Sequence, residues 1–362
     1  MGAARRAGWR AAEKTKGQVT EWIVPPGPDL PDPRPARPGG SNGPTAPGRS
    51  EVLRRSRPRG GRRATALARA PRQGATLGPI HVSAARQEGL PGMSHHLEDT
   101  RVIAGDAPQY NATLVRREDH SPELASFWVK LDGAPAPFEA GQYMTAGVFA
   151  DGKLWQRPYS VASAPSVAGT EGYELYVRLI PVIRFTTLLW RLDVGARMRL
   201  IGPKGRFMLE PDDHRTHLYV STGTGIAPFM SMIRETMLAR KPRKTVVLHG
   251  SSFVEDLAYR DVLVAMERDG RYPLRYEPTL SRPDDPRNAG WTGRIGRAEA
   301  VVADVCRDLH LAPDRTVVYI CGNPEMILNV EGVLMREGFP EFHVKKELYW
   351  PKGKEVAAAA AR

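Results

Sequence analysis

The stretch Leu218-Tyr219-Val220-Ser221-Thr222-Gly223-Thr224-Gly225-Ile226-Ala227-Pro228 limits the fold more than any other part of this 362-residue chain. A short strand-forming run passes straight into a glycine-rich turn, and a proline then stands where the first turn of a helix accepts it. Glycines at 223 and 225 let the backbone turn tightly and approach a ligand closely, and the free N–H groups of a helix start suit a diphosphate. The rhythm continues downstream. Apolar runs His217–Val220, Val246–Leu248, Leu274–Tyr276 and Val317–Ile320 alternate with helical stretches Pro228–Ala239, Asp256–Arg268 and Pro324–Glu337. Such a βαβ series predicts a parallel, Rossmann-like sheet with helices on both faces.

Upstream the pattern is different. Ala112–Val115, Ser126–Leu131, Met144–Val148, Tyr173–Ile180 and Met198–Ile201 are short, rich in β-branched or aromatic residues, and separated by turn signals such as Asp132-Gly133, Asp151-Gly152 and Gly202-Pro203. Short strands at this spacing predict an antiparallel barrel or sandwich. Before them lies a tail of another kind. Residues 1–92 hold 13 prolines, 14 glycines, 17 basic and 6 acidic side chains, which leaves the other 270 residues almost neutral. A segment so poor in periodic apolar residues cannot offset its ordering entropy. The expected organisation is a disordered extension over 1–97, a barrel over 98–213, an α/β domain over 214–350 and a short tail over 351–362. The tail reads as a natural disordered extension with weak affinity for polyanions, as a targeting peptide, or as sequence ahead of a true start at Met93. The last is the expected reading, because patterning begins just after that methionine.

Composition excludes several classes. Two cysteines, Cys306 and Cys321, cannot supply a four-thiolate iron–sulfur or zinc site, and no metal site is expected. They form no disulfide framework, which suits a cytoplasmic protein. No apolar run approaches the roughly 18–20 residues that span a bilayer. The net charge of +12 raises the possibility of nucleic-acid binding, but the near-neutral body and the lack of a known recognition module argue against it.

Three further elements carry chemistry. In Arg157-Pro158-Tyr159-Ser160 a guanidinium can bind a pyrophosphate, a phenol can stack on a flat heterocycle and a hydroxyl can reach a ring edge. The same four residues also fit an edge strand with a surface arginine and a core tyrosine. Arg184-Phe185-Thr186-Thr187 looks like a helix start with threonines at its cap, whether or not a phosphate lies there. Tyr319-Ile320-Cys321-Gly322-Asn323-Pro324 is a second strand–turn–helix, with Cys321 either at a ligand crevice or a small buried filler.

Taken in order, RPYS, TGTGIAP, CGNPEM and the late ELYW resemble the ferredoxin–NADP reductase-like flavoproteins, in particular bacterial ferredoxin (flavodoxin)–NADP reductases, over about residues 98–350. The resemblance implies an FAD-binding barrel followed by an NADP-binding α/β domain. It implies that Arg157 holds the FAD pyrophosphate, Tyr159 stacks on the flavin and Ser160 lies near its reactive nitrogen, with Thr186 and Thr187 at a phosphate-binding helix start. Thr222, Gly223, Thr224 and Gly225 would receive the NADP diphosphate, and Cys321 and Gly322 would lie beside the nicotinamide. Glu347, Tyr349 and Trp350 match the acidic and aromatic residues that meet the flavin near the chain end. Ser160, Cys321, Glu347 and Tyr349 are thus the catalytic candidates.

Arg282 and Arg294 match arginines that clamp the adenosine 2′-phosphate, and two cations facing a dianion favour NADPH. Two positions depart from the pattern: Ile183 stands where a glycine is usual, and Ser252 where relatives often carry arginine. The implied partner is ferredoxin or flavodoxin, met by a monomer. His343, Lys345 and Lys346 lie near the implied site as solvated charge or as a docking surface, and His120 reads as solvated. Rival readings are an oxygenase reductase component or a free flavin reductase and, from another class, a nucleic-acid-binding protein acting through its tail.

Overall fold

The computed structural model describes residues 107–348. The basic tail, Met93, Tyr349, Trp350 and residues 351–362 lie outside them. The first part comprises β1 (Ala112–Ser121), β2 (Leu124–Leu131), β3 (Tyr143–Ala150), β4 (Lys153–Ser160), α1 (Ala168–Glu171), β5 (Tyr173–Arg178), α2 (Arg184–Leu189) and β6 (Arg197–Lys204).

The six strands form an antiparallel sheet in the order β4-β3-β6-β1-β2-β5. Its two edges meet through a bridge between Val161 and Leu175, which closes the barrel. Alternate residues point inward: Ala112 and Leu114, Phe127 and Val129, Met144, Ala146 and Val148, Leu175 and Val177 pack into one core. Phe185, Leu188 and Leu189 of α2 join it. The β3–β4 hairpin turns at Asp151-Gly152, both with positive φ (54° and 71°), the backbone shape that a two-residue hairpin with right-handed strand twist demands. β1 runs six residues beyond its expected end, because its polar second half Arg116–Ser121 still pairs with β2 across a bulge.

The second part comprises β7 (Thr216–Thr222), α3 (Ala227–Leu238), β8 (Thr245–Ser251), α4 (Arg260–Asp269), β9 (Leu274–Leu280), β10 (Arg294–Ile295), α5 (Ala298–Asp308), β11 (Thr316–Gly322), α6 (Pro324–Arg336) and β12 (Val344–Leu348). All six strands are parallel, in the order β10-β9-β8-β7-β11-β12. Residues of α3 and α4 (Phe229, Ile233, Leu263) cover one face, and those of α5 and α6 (Val302, Val305, Ile327, Val330) cover the other. β7 and β11 are buried on both faces and accordingly read as unbroken apolar runs. α4 starts four residues later than the sequence predicts. Asp256 is buried and ion-paired with Arg178 of β5 at 2.8 Å, so it cannot open that helix. No helix among the described residues is long and apolar enough to cross a membrane.

The chain runs outward from β7 to β10 and returns to β11 on the other side of β7. Strand order therefore reverses between β7 and β11, and ligands of open α/β sheets bind at the C-terminal edge of such a point.

Candidate active site

At that edge the two glycine motifs touch. A Cβ placed on Gly225 would lie 2.3 Å from the Cys321 carbonyl oxygen and 2.6 Å from the Gly322 Cα, so only glycine fits between the loop after β7 and the end of β11. Gly223 differs. Its φ is +51° and a Cβ there would meet nothing within 4 Å, which leaves an open concavity above the turn. Thr222 joins the two loops, its hydroxyl accepting the Asn323 amide at 3.1 Å. Asn323 in turn caps α6, taking the Glu325 and Met326 amides. The Ser221 hydroxyl, buried near the end of β7, has no partner among the described residues.

Behind the loop stands His249, a residue to which the sequence assigns no role. Its ring is fully buried at the end of β8, and its Nε2 lies 3.1 Å from the Gly223 carbonyl oxygen. A carbonyl only accepts, so Nε2 carries the proton and Nδ1 accepts from the Tyr276 hydroxyl at 3.3 Å. Burial pulls the imidazole down to about 4, which keeps it neutral at pH 7. The signal in the sequence is slight: a histidine two residues before the end of a parallel strand.

The barrel contributes its own residues to this edge. β4 carries Arg157 exposed, Tyr159 half-buried and Ser160 buried. The Tyr159 ring packs 5.7 Å from that of Phe185, and burial raises its phenol well above the ordinary range. Ser160 donates to Glu347 Oε2 at 3.1 Å. This bond joins the end of the barrel strand to β12, where Glu347 pairs in register with Cys321. Burial pushes the Glu347 carboxyl up to about 7, partly opposed by the Ser160 hydroxyl. Ser160, Cys321 and Glu347 thus meet beside the glycine turn. The buried indole nitrogen of Trp155, earlier on β4, has no partner among the described residues.

α2 is capped differently from the sequence expectation. Its N-cap is Ile183, with no side-chain cap. The Thr186 hydroxyl bonds the carbonyls of Ile180 and Ile183 at 2.9 and 3.0 Å, and that of Thr187 bonds Arg184 at 2.8 Å. Both threonines therefore shape the preceding turn through their side chains instead of presenting them.

The arginines differ in kind. Arg282 is exposed in the loop after β9, 5.2 Å from the Phe253 ring, and forms no ion pair among the described residues. Arg294 is held by Glu277 at 2.5 Å and Asp308 at 2.8 Å, so its charge is already balanced by two carboxylates. Asn288 is buried in the turn beyond Arg282. It donates to the carbonyls of Ser252 (2.9 Å) and Arg282 (2.7 Å) and accepts the Val254 amide (2.9 Å), pinning the loops after β8 and β9 together. Nothing in the sequence distinguishes it from any other loop asparagine.

One expectation about charge needs correcting. His120 is not solvated: its ring packs on Tyr176 and its Nε2 lies 3.0 Å from the Ser126 hydroxyl. Lys345 and Lys346 pair with Glu210 and Glu331 across neighbouring elements and stay partly exposed to solvent.

The donor set suits two nucleotide cofactors. Arg157, the Tyr159 ring and unpartnered Trp155 Nε1 line the barrel side, and the open turn at Gly223 with its unpartnered Ser221 lines the α/β side. The Oxidoreductase FAD-binding domain family matches residues 111–209, and the Oxidoreductase NAD-binding domain family matches residues 219–331. Ferredoxin–NADP reductase B of Sorangium cellulosum is 35% identical over 247 residues, 67% of this chain and 98% of that protein. The terephthalate 1,2-dioxygenase reductase component 1 of Comamonas sp. is 28% identical over 225 residues, 62% of each chain. Among solved structures, the ferredoxin NADP+ reductase of Neisseria gonorrhoeae with bound FAD and NADP shares the fold at a TM-score of 0.57 and 24% identity, covering 67% of this chain and 99% of that one. A closed antiparallel barrel, a doubly wound parallel sheet and these matches together make the chain a member of the ferredoxin reductase-like flavoproteins, an oxidoreductase with an FAD-binding domain followed by an NAD-binding domain.

Proposed function

We propose that the protein is a ferredoxin (flavodoxin)–NADP reductase that prefers NADPH. The observation that carries this reading is the Ser160–Glu347 hydrogen bond, which brings the end of the RPYS strand onto the C-terminal edge of the nucleotide sheet. FAD, when bound, accepts a hydride from a nicotinamide and releases its electrons singly. The chain has to bind, orient and shield. Arg157 is positioned on an exposed face for a pyrophosphate, and Tyr159, fixed against Phe185, offers a flat surface for a ring. The turn shaped by Thr186 and Thr187 supports the same cofactor from α2. Thr222, Gly223, Thr224 and Gly225 form the diphosphate loop, held from behind by His249. Cys321, fully buried at the end of β11, and Gly322 stand next to it and are assigned by resemblance to the nicotinamide side.

Burial raises the Glu347 carboxyl to about 7, so it can take up or release a proton near neutrality, and the Ser160 hydroxyl that donates to its Oε2 favours the ionised form. Tyr349 and Trp350, which directly follow β12 in sequence, are assigned by resemblance to the face that a nicotinamide must reach. For the 2′-phosphate the reading relies first on Arg282. Arg294 serves only if the phosphate displaces Glu277 or Asp308 from its guanidinium. The preference for ferredoxin or flavodoxin rests on the Sorangium relative. The similarity to a dioxygenase reductase component favours a second reading, in which the acceptor is an oxygenase system.

The test is the absorbance spectrum of the purified protein followed by anaerobic mixing with NADPH or NADH. Flavin bands bleached at least tenfold more efficiently by NADPH are expected. A colourless protein refutes the flavoprotein reading, and equal bleaching refutes the NADPH preference. Ferredoxin, flavodoxin and an oxygenase component, offered as acceptors to the reduced protein, separate the two readings of the partner.

A further inference from the structure

A buried polar cluster outside the site ties the two domains together. Glu174 of β5 is 3% exposed, and each of its oxygens has a partner. Its Oε1 accepts from the Tyr259 hydroxyl at 2.7 Å and from Ser126 at 3.1 Å, and its Oε2 accepts from Arg234. Tyr259 precedes α4, and Arg234 lies on α3, the helix that starts directly after the diphosphate loop. Arg234 also donates to the Ala162 carbonyl at 2.8 Å. One turn earlier, Ser231 donates to the Ser163 carbonyl, also at 2.8 Å. Ala162 and Ser163 directly follow the RPYS strand and are held from the other side by β5, through Ala162 N to Glu174 O at 2.8 Å and Glu174 N to Ser163 Oγ at 3.1 Å.

We propose that Glu174, Arg234 and Tyr259 form a positioning device that sets helix α3 against the segment after Ser160, so that they govern the rate of hydride transfer without touching either nucleotide. The proposal rests on the reading of the chain as a nicotinamide–flavin oxidoreductase. A buried ion pair is a weak source of net stability, because desolvation of both charges opposes their attraction, but its directional bonds admit one arrangement of the groups they join. Hydride transfer is sensitive to such an arrangement. Misplacement of reacting groups by about 1 Å costs on the order of a hundredfold in rate. α3 carries the diphosphate loop at its start and is bonded one and two turns later to the chain just beyond Ser160, so a shift of the helix moves one ligand site relative to the other.

The experiment compares full-length Arg234→Met, Glu174→Gln, Arg234→Lys and the apolar pair Arg234→Met/Glu174→Leu with the wild-type protein. Bound FAD, melting temperature, nucleotide affinity and the limiting rate of flavin reduction at saturating NADPH are measured, the last also with nucleotide deuterated at C4. Expected is unchanged FAD content and NADPH affinity within about twofold, with a limiting rate at least tenfold lower in Arg234→Met and Glu174→Gln. The double variant removes both charges but leaves the Tyr259 and Ser126 hydroxyls and the Ala162 carbonyl without these partners, so it should melt lower than the wild type while keeping its FAD, and remain slow; Arg234→Lys should recover part of the rate. The isotope effect should become more temperature-dependent as the approach of the two rings loosens. A double variant that reduces flavin at the wild-type rate overturns the proposal, as does a loss of rate that only tracks lost FAD. Wild-type protein that neither nicotinamide nucleotide reduces refutes the underlying functional reading, and this inference with it.

Discussion

Replacing each glycine of the turn by alanine separates packing from ligand access. In Gly225→Ala the new methyl lies 2.3 Å from the Cys321 carbonyl oxygen and 2.6 Å from the Gly322 Cα, against ordinary contacts of 3.4–4 Å. Both obstacles are backbone, so β7 and β11 must part locally by about 1 Å. Overpacking of this kind costs about 1–3 kcal/mol, and an immovable neighbour places it near the upper end. For a folded part of this size that is a fall of roughly 5–10 °C in melting temperature. Gly223→Ala meets nothing within 4 Å and bears only the left-handed φ of +51°, about 1 kcal/mol and some 2–4 °C. Its methyl, however, projects into the concavity assigned to the diphosphate. Thermal melts of both variants, with NADPH titrations followed by flavin absorbance, give the comparison. Gly223→Ala should lose tenfold or more in nucleotide affinity with little loss of stability, and Gly225→Ala should lose both. Equal melting temperatures for the two variants would refute the packing argument, and wild-type affinity in Gly223→Ala would refute the diphosphate assignment.

Arg282→Ala should weaken NADPH by roughly 1.5–3 kcal/mol, the scale of a charged hydrogen bond, and leave NADH almost unchanged; equal losses in parallel titrations would remove it from the 2′-phosphate site. Asn288→Ala should reduce the NADPH preference in the same direction though Asn288 itself meets no nucleotide, because the Ser252 and Arg282 loops lose their shared pin; an unchanged ratio of NADPH to NADH affinity would leave it a purely structural residue. Acid should destabilise the fold from pH 6.5 downward. His217 and His249 are buried and pulled down to about 4, so between pH 6.5 and 4 the unfolded chain binds protons that the native one refuses, and stability present above 6.5 drains away as pH falls. Each histidine contributes on the order of 3 kcal/mol to that loss. Glu347, raised to about 7, offsets about as much as one of them, because between pH 7 and 4.5 its native carboxyl binds a proton that the unfolded chain does not. His249→Gln should flatten the denaturant-midpoint profile across this window.

How much of this was legible in the sequence depends on the range of the interaction concerned. The parallel sheet, its helices and the glycine turn follow from periodicity and local turn chemistry, and the structure has all of them. The Asp151-Gly152 hairpin is equally local, two residues whose positive φ values are cheap. Errors arise chiefly where a distant partner claims a residue. Asp256 leaves its helix for Arg178, and His120 packs on Tyr176. Thr186 is a local miss, its hydroxyl turning from a cap to the Ile180 carbonyl just before the helix.

The residues that sequence reasoning missed share a physical character. His249, Asn288 and Glu174 are polar, buried, and bonded to backbone or to groups far away in the chain. A motif is visible because a ligand fixes both residue type and spacing along one strand or turn. A supporting residue is fixed only by what the fold brings beside it, so its type can be any donor of the right reach and its position carries no local pattern. Burial gives such residues their effect, since an unmet donor or acceptor there costs about 1–3 kcal/mol and the pairing is correspondingly strict. The glycine loop is therefore half of the device. The other half is the imidazole proton on the Gly223 carbonyl, which orients the peptide unit that a diphosphate would meet, and that hydrogen bond exists only because β7 and β8 lie side by side with Ser221 opposite His249.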